Sequence, residues 1–191
     1  MSRENAILTY TNTLFYPLDP RAEEIHIEDI AHALSQMCRA NGHFKKFHSV
    51  AQHCINCTLE ARARHLSERV QLACLLHDAS EAYISDITRP VKCYLKEYRK
   101  IEHKLQQAIY AKFCLGDMNE AELREVEAVD NALLYYEFER LHHQGIHKQP
   151  PRVFSSPDTS ERNMTAVERQ FLQLTEQLLE HIASKNRSLE L

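Results

Sequence analysis

Apolar residues recur along this chain with the three- and four-residue spacing of α-helices almost throughout. A first helix is predicted over about 27–40, with Ile27, Ile30, Ala31, Leu34 and Cys38 on one face. Ser49 followed by Gln52 reads as a capping box that opens a second helix at about 50–65. Ser67 caps a third, about 68–83. Thr88-Arg89-Pro90 starts a fourth, with proline in the first turn where its missing N–H costs nothing. Its stripe runs Val91, Tyr94, Leu95, Tyr98, Ile101, Leu105, Ile109 and stops near Gly116. Asn119 and Glu122 cap a fifth helix, about 120–140. A loop over 141–159, read as a lid or a surface excursion, leads to a last helix at about 160–184. Residues 1–26 form an irregular arm with one short strand near Leu8–Phe15. The expectation is an all-α helical bundle in a single domain spanning 1–191.

Composition narrows the picture. The chain has 191 residues, a length suited to one core. Its net charge of −4 argues against a dedicated binder of nucleic acid polymers. No run approaches the ~18 apolar residues of a membrane span, and the N-terminus lacks the pattern of a secretory signal, so a cytoplasmic location is expected. The six cysteines then read as thiols. Three glycines are too few for a phosphate-binding glycine loop of the usual types.

The chemistry lies in polar residues that fall on apolar faces. His53 sits within the stripe Val50, Cys54, Cys57, Ala61. Val70, Cys74, His77 and Glu81 share a face at four-residue spacing, with Asp78 alongside. Asp130 interrupts the stripe Leu123, Val126, Leu133, Leu134. An unpaired buried carboxylate costs several kcal/mol. A cation ligated by neutral imidazoles and carboxylates would compensate, and bundles build metal sites from facing helices in this way. Each residue taken singly has an ordinary reading as a hydrogen-bonded or ion-paired core group. Their placement on three inward faces favours the metal. Cys54-x-x-Cys57 lacks a second pair and reads as core packing. His142, His143 and His147 read as part of an exposed loop.

The segments Ser49-Val50-Ala51-Gln52-His53, Leu75-Leu76-His77-Asp78-Ala79-Ser80-Glu81-Ala82 and Asp86-Ile87-Thr88-Arg89-Pro90-Val91-Lys92 resemble the HD-domain metal-dependent phosphohydrolases. The resemblance covers about residues 27–140 and is nearest to the bacterial 5′-deoxynucleotidase branch. It implies that His53, His77, Asp78 and Asp130 hold one divalent metal, with Mn, Co, Ni, Fe, Zn and Mg all open as its identity. It implies that Glu81 lies near the attacking water and that Asp86 contacts the sugar or assists the leaving group. Asp86 also reads simply as a residue near the start of the fourth helix. Arg39 stands at a distance before His53 similar to that of the family's phosphate-holding arginine. Ala40 follows it where that branch has tryptophan, which puts the deoxynucleotide preference in question.

The implied activity is cleavage of a phosphomonoester, a nucleoside 5′-monophosphate above others, by a metal-activated water. An alarmone or nucleotide pyrophosphohydrolase of the same superfamily is the first alternative. Such enzymes follow His-Asp with an adjacent Glu-Asp, whereas Ala82 follows Glu81 here. A non-catalytic nucleotide-binding protein and a plain helical interaction module are the others. The expected partner is a small phosphate ester, with no membrane, and the long last helix is compatible with a homodimer.

Overall fold

The structure, a computed structural model, describes residues 5–142 and 150–189. It is an all-α domain with one small hairpin. The N-terminal arm is more ordered than expected: β1 (Ile7–Leu8) and β2 (Leu14–Phe15) pair antiparallel, with Ile7 opposite Phe15. The carboxylate of Asp29 accepts from the Thr11 N–H at 2.7 Å and its hydroxyl at 3.0 Å, which pins the hairpin to the start of α1 (Ile27–Gln36).

α1 is shorter than its apolar period suggests. After Gln36 the backbone turns extended and pairs with the entry to α2 (Val50–Ala63): the Val50 N–H donates to the Met37 carbonyl at 3.0 Å and the Arg39 N–H to that of His48 at 2.9 Å. Cys38 therefore lies outside the helix and is exposed. Ala40 and Asn41 take left-handed conformations in the following turn. These bridges hold Arg39 beside the first turn of α2.

α2 is the central helix, packed against α1, α3 (Glu68–Leu76), α7 (Glu120–Leu141) and α8 (Met164–Leu189). The Ser49 hydroxyl accepts from the Gln52 N–H, so the serine half of the predicted capping box is present. Almost every α2 side chain is buried, the polar ones included. Glu60 accepts from the backbone of Phe154 and Ser155 and from the Ser155 hydroxyl. Gln52 donates to the carbonyls of Asp158 and Ser160, and Asn56 to that of Asp158. The described part of the 141–159 loop is thus a strap bound to α2 rather than a free excursion. His143 and His147 lie outside the described residues; His142 packs against Phe44 and Phe138.

Two predicted helices break. The third ends at Leu76, and the chain tightens into i→i−3 turns, Ala79 N–H to Leu76 carbonyl and Glu81 N–H to Asp78 carbonyl, before α4 (Glu81–Ile84). Gln106 of α6 (Lys96–Lys112) stabilises this break: its amide N–H donates to the Leu76 carbonyl at 2.7 Å and its oxygen accepts from the Ser80 N–H at 3.2 Å. The fourth splits into α5 (Arg89–Lys92) and α6, leaving Val91 and Tyr94 exposed while Leu105 and Ile109 enter the core. α7 matches its prediction, with Asn119 and Glu122 forming a full capping box, although Leu123 is exposed. α8 starts at Met164 rather than 160 and runs to Leu189; Val167, Phe171, Leu174, Leu178 and Ile182 bury its stripe.

Candidate metal centre

His53 comes from α2, His77 and Asp78 from the turn after α3, and Asp130 from α7. The fold brings all four together. Nε2 of His53 lies 3.1 Å from Oδ1 of Asp130 and 4.0 Å from Oδ2 of Asp78. Nε2 of His77 lies 3.2 Å from Oδ2 of Asp78 and 3.6 Å from Oδ1 of Asp130. These are the separations of donors around one ion: oxygen and nitrogen each at ~2.1 Å from a metal, at right angles, stand ~3 Å apart.

The outer nitrogens fix the direction of both rings. Nδ1 of His77 is 2.8 Å from the Cys74 carbonyl, which can only accept, so Nδ1 carries the proton and Nε2 is turned inward. Nδ1 of His53 lies 2.9 Å from Oε1 of Glu137, a fully buried carboxylate. This is the carboxylate–histidine support found behind metal ligands. Nε2 of His77 is buried and makes no hydrogen bond among the described residues, despite the nearby Asp78 oxygen. This inward nitrogen and two adjacent carboxylates form a donor set that suits a divalent cation.

Electrostatics point the same way. Burial alone would raise the carboxyl of Asp78, yet His77, Arg39 and His53 hold it well below the usual range. Burial would likewise raise Asp130, but the hydrogen bond from His53 and the nearby His77 imidazole hold it well below the usual range. Burial would lower His77, and the Asp78 carboxylate outweighs it and draws a proton onto the ring. A cation in that proton's place would satisfy the same two carboxylates.

Sulfur donors lie close by. His53, Cys57 and His77 can offer ligand atoms within 4.8 Å of one another, as can Cys54, His77 and Asp78. The oxygen-rich set is the one that faces a cavity. That cavity, of about 480 Å³, has a polar floor of Arg39, Asp78, Glu81, Asp86, Lys92 and Asp130. Ala40, Ile87, Pro90, Leu134, Tyr135 and Phe138 supply most of its apolar wall, and Thr88 and Arg89 stand at its rim.

The remaining predicted residues gather around this floor. Glu81 does not share a helical face with His77, because the chain breaks between them, yet the break turns it into the cavity. It is buried and its Oε2 has no hydrogen-bond partner among the described residues; burial first, then Asp78 and Asp86, push its carboxyl well up. Asp86 is half-buried and also raised, chiefly by burial. Arg39 is buried, with Nε 3.0 Å from Glu137, Nη1 3.3 Å from Asp78 and Nη2 3.8 Å from Asp130.

Several members were missed. Glu137 joins Arg39, His48 and His53 at one carboxylate. It lies seven residues after Asp130, two turns along the same face, and that spacing was the available signal. Arg89 reaches Asp130 at 3.3 Å and Asn131 at 3.0 Å. Lys92 lies 2.6 Å from Glu102 and 3.5 Å from Glu81.

No family model matches the chain. It is 37% identical over 109 residues to YfdR of Escherichia coli K12, a match covering 57% of this chain and 58% of YfdR. The chain thus spans less than two thirds of that relative. It is 36% identical over 148 residues to RCAP_rcc00048 of Rhodobacter capsulatus, 74% of each protein. Both relatives are described as uncharacterized proteins. No helix among the described residues is long and apolar enough to cross a membrane.

Proposed function

The chain belongs to the family of the Rhodobacter capsulatus protein RCAP_rcc00048, and we propose that it is a metal-dependent phosphohydrolase that cleaves a phosphomonoester, with a nucleoside 5′-monophosphate as the substrate class. The observation that carries this reading is the close approach of His53 and His77 to Asp78 and Asp130, the two carboxylates lining the cavity, with both imidazoles oriented from behind.

His53, His77, Asp78 and Asp130 would hold one divalent ion. Such an ion lowers the pKa of a bound water toward ~7 and polarises a phosphoryl oxygen. The protein's own residues do the rest. Arg39, kept charged by Glu137, Asp78 and Asp130 although burial opposes it, offers guanidinium N–H groups to the non-bridging oxygens. Glu81 accepts the proton of the attacking water: its Oε2 makes no hydrogen bond among the described residues, and its raised pKa makes it a better base than an ordinary carboxylate. Asp86, also raised, stands on the same floor and can pass a proton to the leaving oxygen or bind a sugar hydroxyl. The apolar wall of Leu134, Tyr135 and Phe138 takes the uncharged part of the ester. Phosphoryl transfer needs positioning and charge neutralisation above all, and these groups supply both.

The test is a panel of nucleoside mono-, di- and triphosphates offered to metal-stripped protein reloaded with Mn²⁺, Co²⁺ or Mg²⁺. Phosphate release from monophosphates, absent without metal, is expected. Pyrophosphate release from longer substrates moves the assignment to a pyrophosphohydrolase. No release from any ester with any of the ions overturns it.

A further inference from the structure

The phosphohydrolase reading leaves the buried thiols of α2 unused. Cys57 follows His53 by four residues, so its sulfur comes up beneath that ring, with Sγ 3.4 Å from Nε2. This is the same nitrogen that lies 3.1 Å from Oδ1 of Asp130. Sulfur and one nitrogen from each of His53 and His77 fall within 4.8 Å of one another. The two imidazoles are therefore shared by two donor sets, one completed by carboxylate oxygens and one by a thiol. Asp78 and Asp130 line the cavity, whereas His53, His77 and Cys57 do not. In a tetrahedral site with metal–sulfur and metal–nitrogen bonds of ~2.3 and ~2.0 Å, the two donors stand ~3.5 Å apart, close to the separation seen here.

We propose that the centre has two metal modes. Oxygen-preferring divalent ions sit on the Asp78–Asp130 side. Thiophilic ions, with Cd²⁺ as the type case, are captured by His53, His77 and Cys57, deeper than the cavity floor and out of reach of a substrate. Thiolate is the soft donor that selects such ions over Mg²⁺ or Mn²⁺. On capture the Sγ–H bond breaks, its proton leaves to solvent, and the sulfur keeps the electron pair it donates to the ion; no redox change is involved. Only the oxygen-side mode rests on the function proposed above.

The test is ultraviolet absorption of metal-stripped protein titrated with CdCl₂. A sulfur-to-cadmium charge-transfer band is expected for the wild type, for Cys54→Ser and for Asp130→Asn, and its loss for Cys57→Ser. In the phosphate-release assay, Cys57→Ser loaded with Mn²⁺ keeps its turnover and loses inhibition by Cd²⁺. No band in the wild type, a band that survives Cys57→Ser, or a band lost only with Cys54→Ser overturns the proposal. If circular dichroism shows Cys57→Ser unfolded, cadmium NMR of the wild type decides: a shift typical of one sulfur among nitrogen ligands upholds the thiol mode, and one typical of oxygen and nitrogen alone overturns it. The two readings fail separately. A band without phosphate release sinks the hydrolase and leaves the thiol mode; phosphate release without a band does the reverse.

Discussion

Oε1 of Glu137 lies 2.9 Å from Nδ1 of His53, so a carboxylate behind the ring sets which nitrogen faces the centre. The same carboxylate receives Arg39 at 3.0 Å and His48 at 3.2 Å. Removing it leaves Arg39 buried with one fewer counter-charge and frees the His53 ring to turn. Glu137→Ala is expected to destabilise the metal-free protein by about 3–5 kcal/mol, the scale for breaking a buried ion pair. Glu137→Gln, which keeps the shape, is expected to fold and to bind Mn²⁺ about 10–100-fold more weakly. Calorimetric titration of stripped protein checks the second; an unchanged affinity contradicts the supporting role.

Glu81 is expected to show opposite effects on activity and stability. Its carboxyl is raised in the fold by burial, Asp78 and Asp86. A raised carboxylate is stabilising only in its protonated form, so its ionisation opposes folding from about pH 4.5 upward. Glu81→Gln removes that charge. At neutral pH the metal-free variant is expected to be more stable than the wild type, by on the order of 1 kcal/mol. It should retain metal and lose about 10²–10⁴-fold in turnover. Urea unfolding and phosphate release check the two halves; a variant that is less stable and fully active defeats both.

Acid should dismantle the metal-free centre. Asp78, Asp130 and Glu137 have carboxyls held below the ordinary range, against burial, by His77, His53 and Arg39. A depressed carboxylate contributes stability above its unfolded pKa, and that stability is lost as pH falls toward the folded value. The metal-free wild type is therefore expected to lose stability steeply below about pH 4.5. Asp130→Asn, with one such group fewer, should show a shallower slope. Urea midpoints across a pH series read this directly, and equal slopes refute it.

The proximity of His53, His77, Asp78 and Asp130 was more legible in the sequence than the exact bounds of the helices that carry them. His53 and Asp130 announced themselves as polar interruptions of apolar stripes on long helices. Such phase survives small errors in helix bounds. The break after Leu76 had no such mark: Leu75, Leu76, Ala79 and Ala82 are all good helix residues, and what ends the helix is Gln106, about 30 residues away, bonding to the Leu76 carbonyl and the Ser80 N–H. The early end of α1 is also tertiary, since Met37 and Arg39 pair with the backbone at the entry to α2. Glu60 was hidden because a buried carboxylate within a helix reads as an exposed one until the strap that binds it is known.

The residue between the two acidic groups of the floor is under strain. Ser85 has φ +72° and ψ 156°, a region that side chains avoid and glycine accepts. It is held there from both ends. Its N–H donates to the Glu81 carbonyl at 2.8 Å, and its own carbonyl accepts from the Tyr98 hydroxyl at 2.7 Å. The kink turns the chain at the end of α4 so that Glu81, before it, and Asp86, after it, both reach the cavity. Such a conformation costs about 1–3 kcal/mol, and glycine relieves it at an entropic cost of about 0.5–1 kcal/mol. Ser85→Gly is therefore expected to stabilise the protein by about 1 kcal/mol while loosening Asp86. Turnover should fall with metal affinity unchanged, because none of the four proposed ligands lies at this kink. Ser85→Val, which adds a branch at the same position, is expected to destabilise. Urea unfolding ranks the three proteins; a glycine variant less stable than the wild type shows that the serine conformation is not strained.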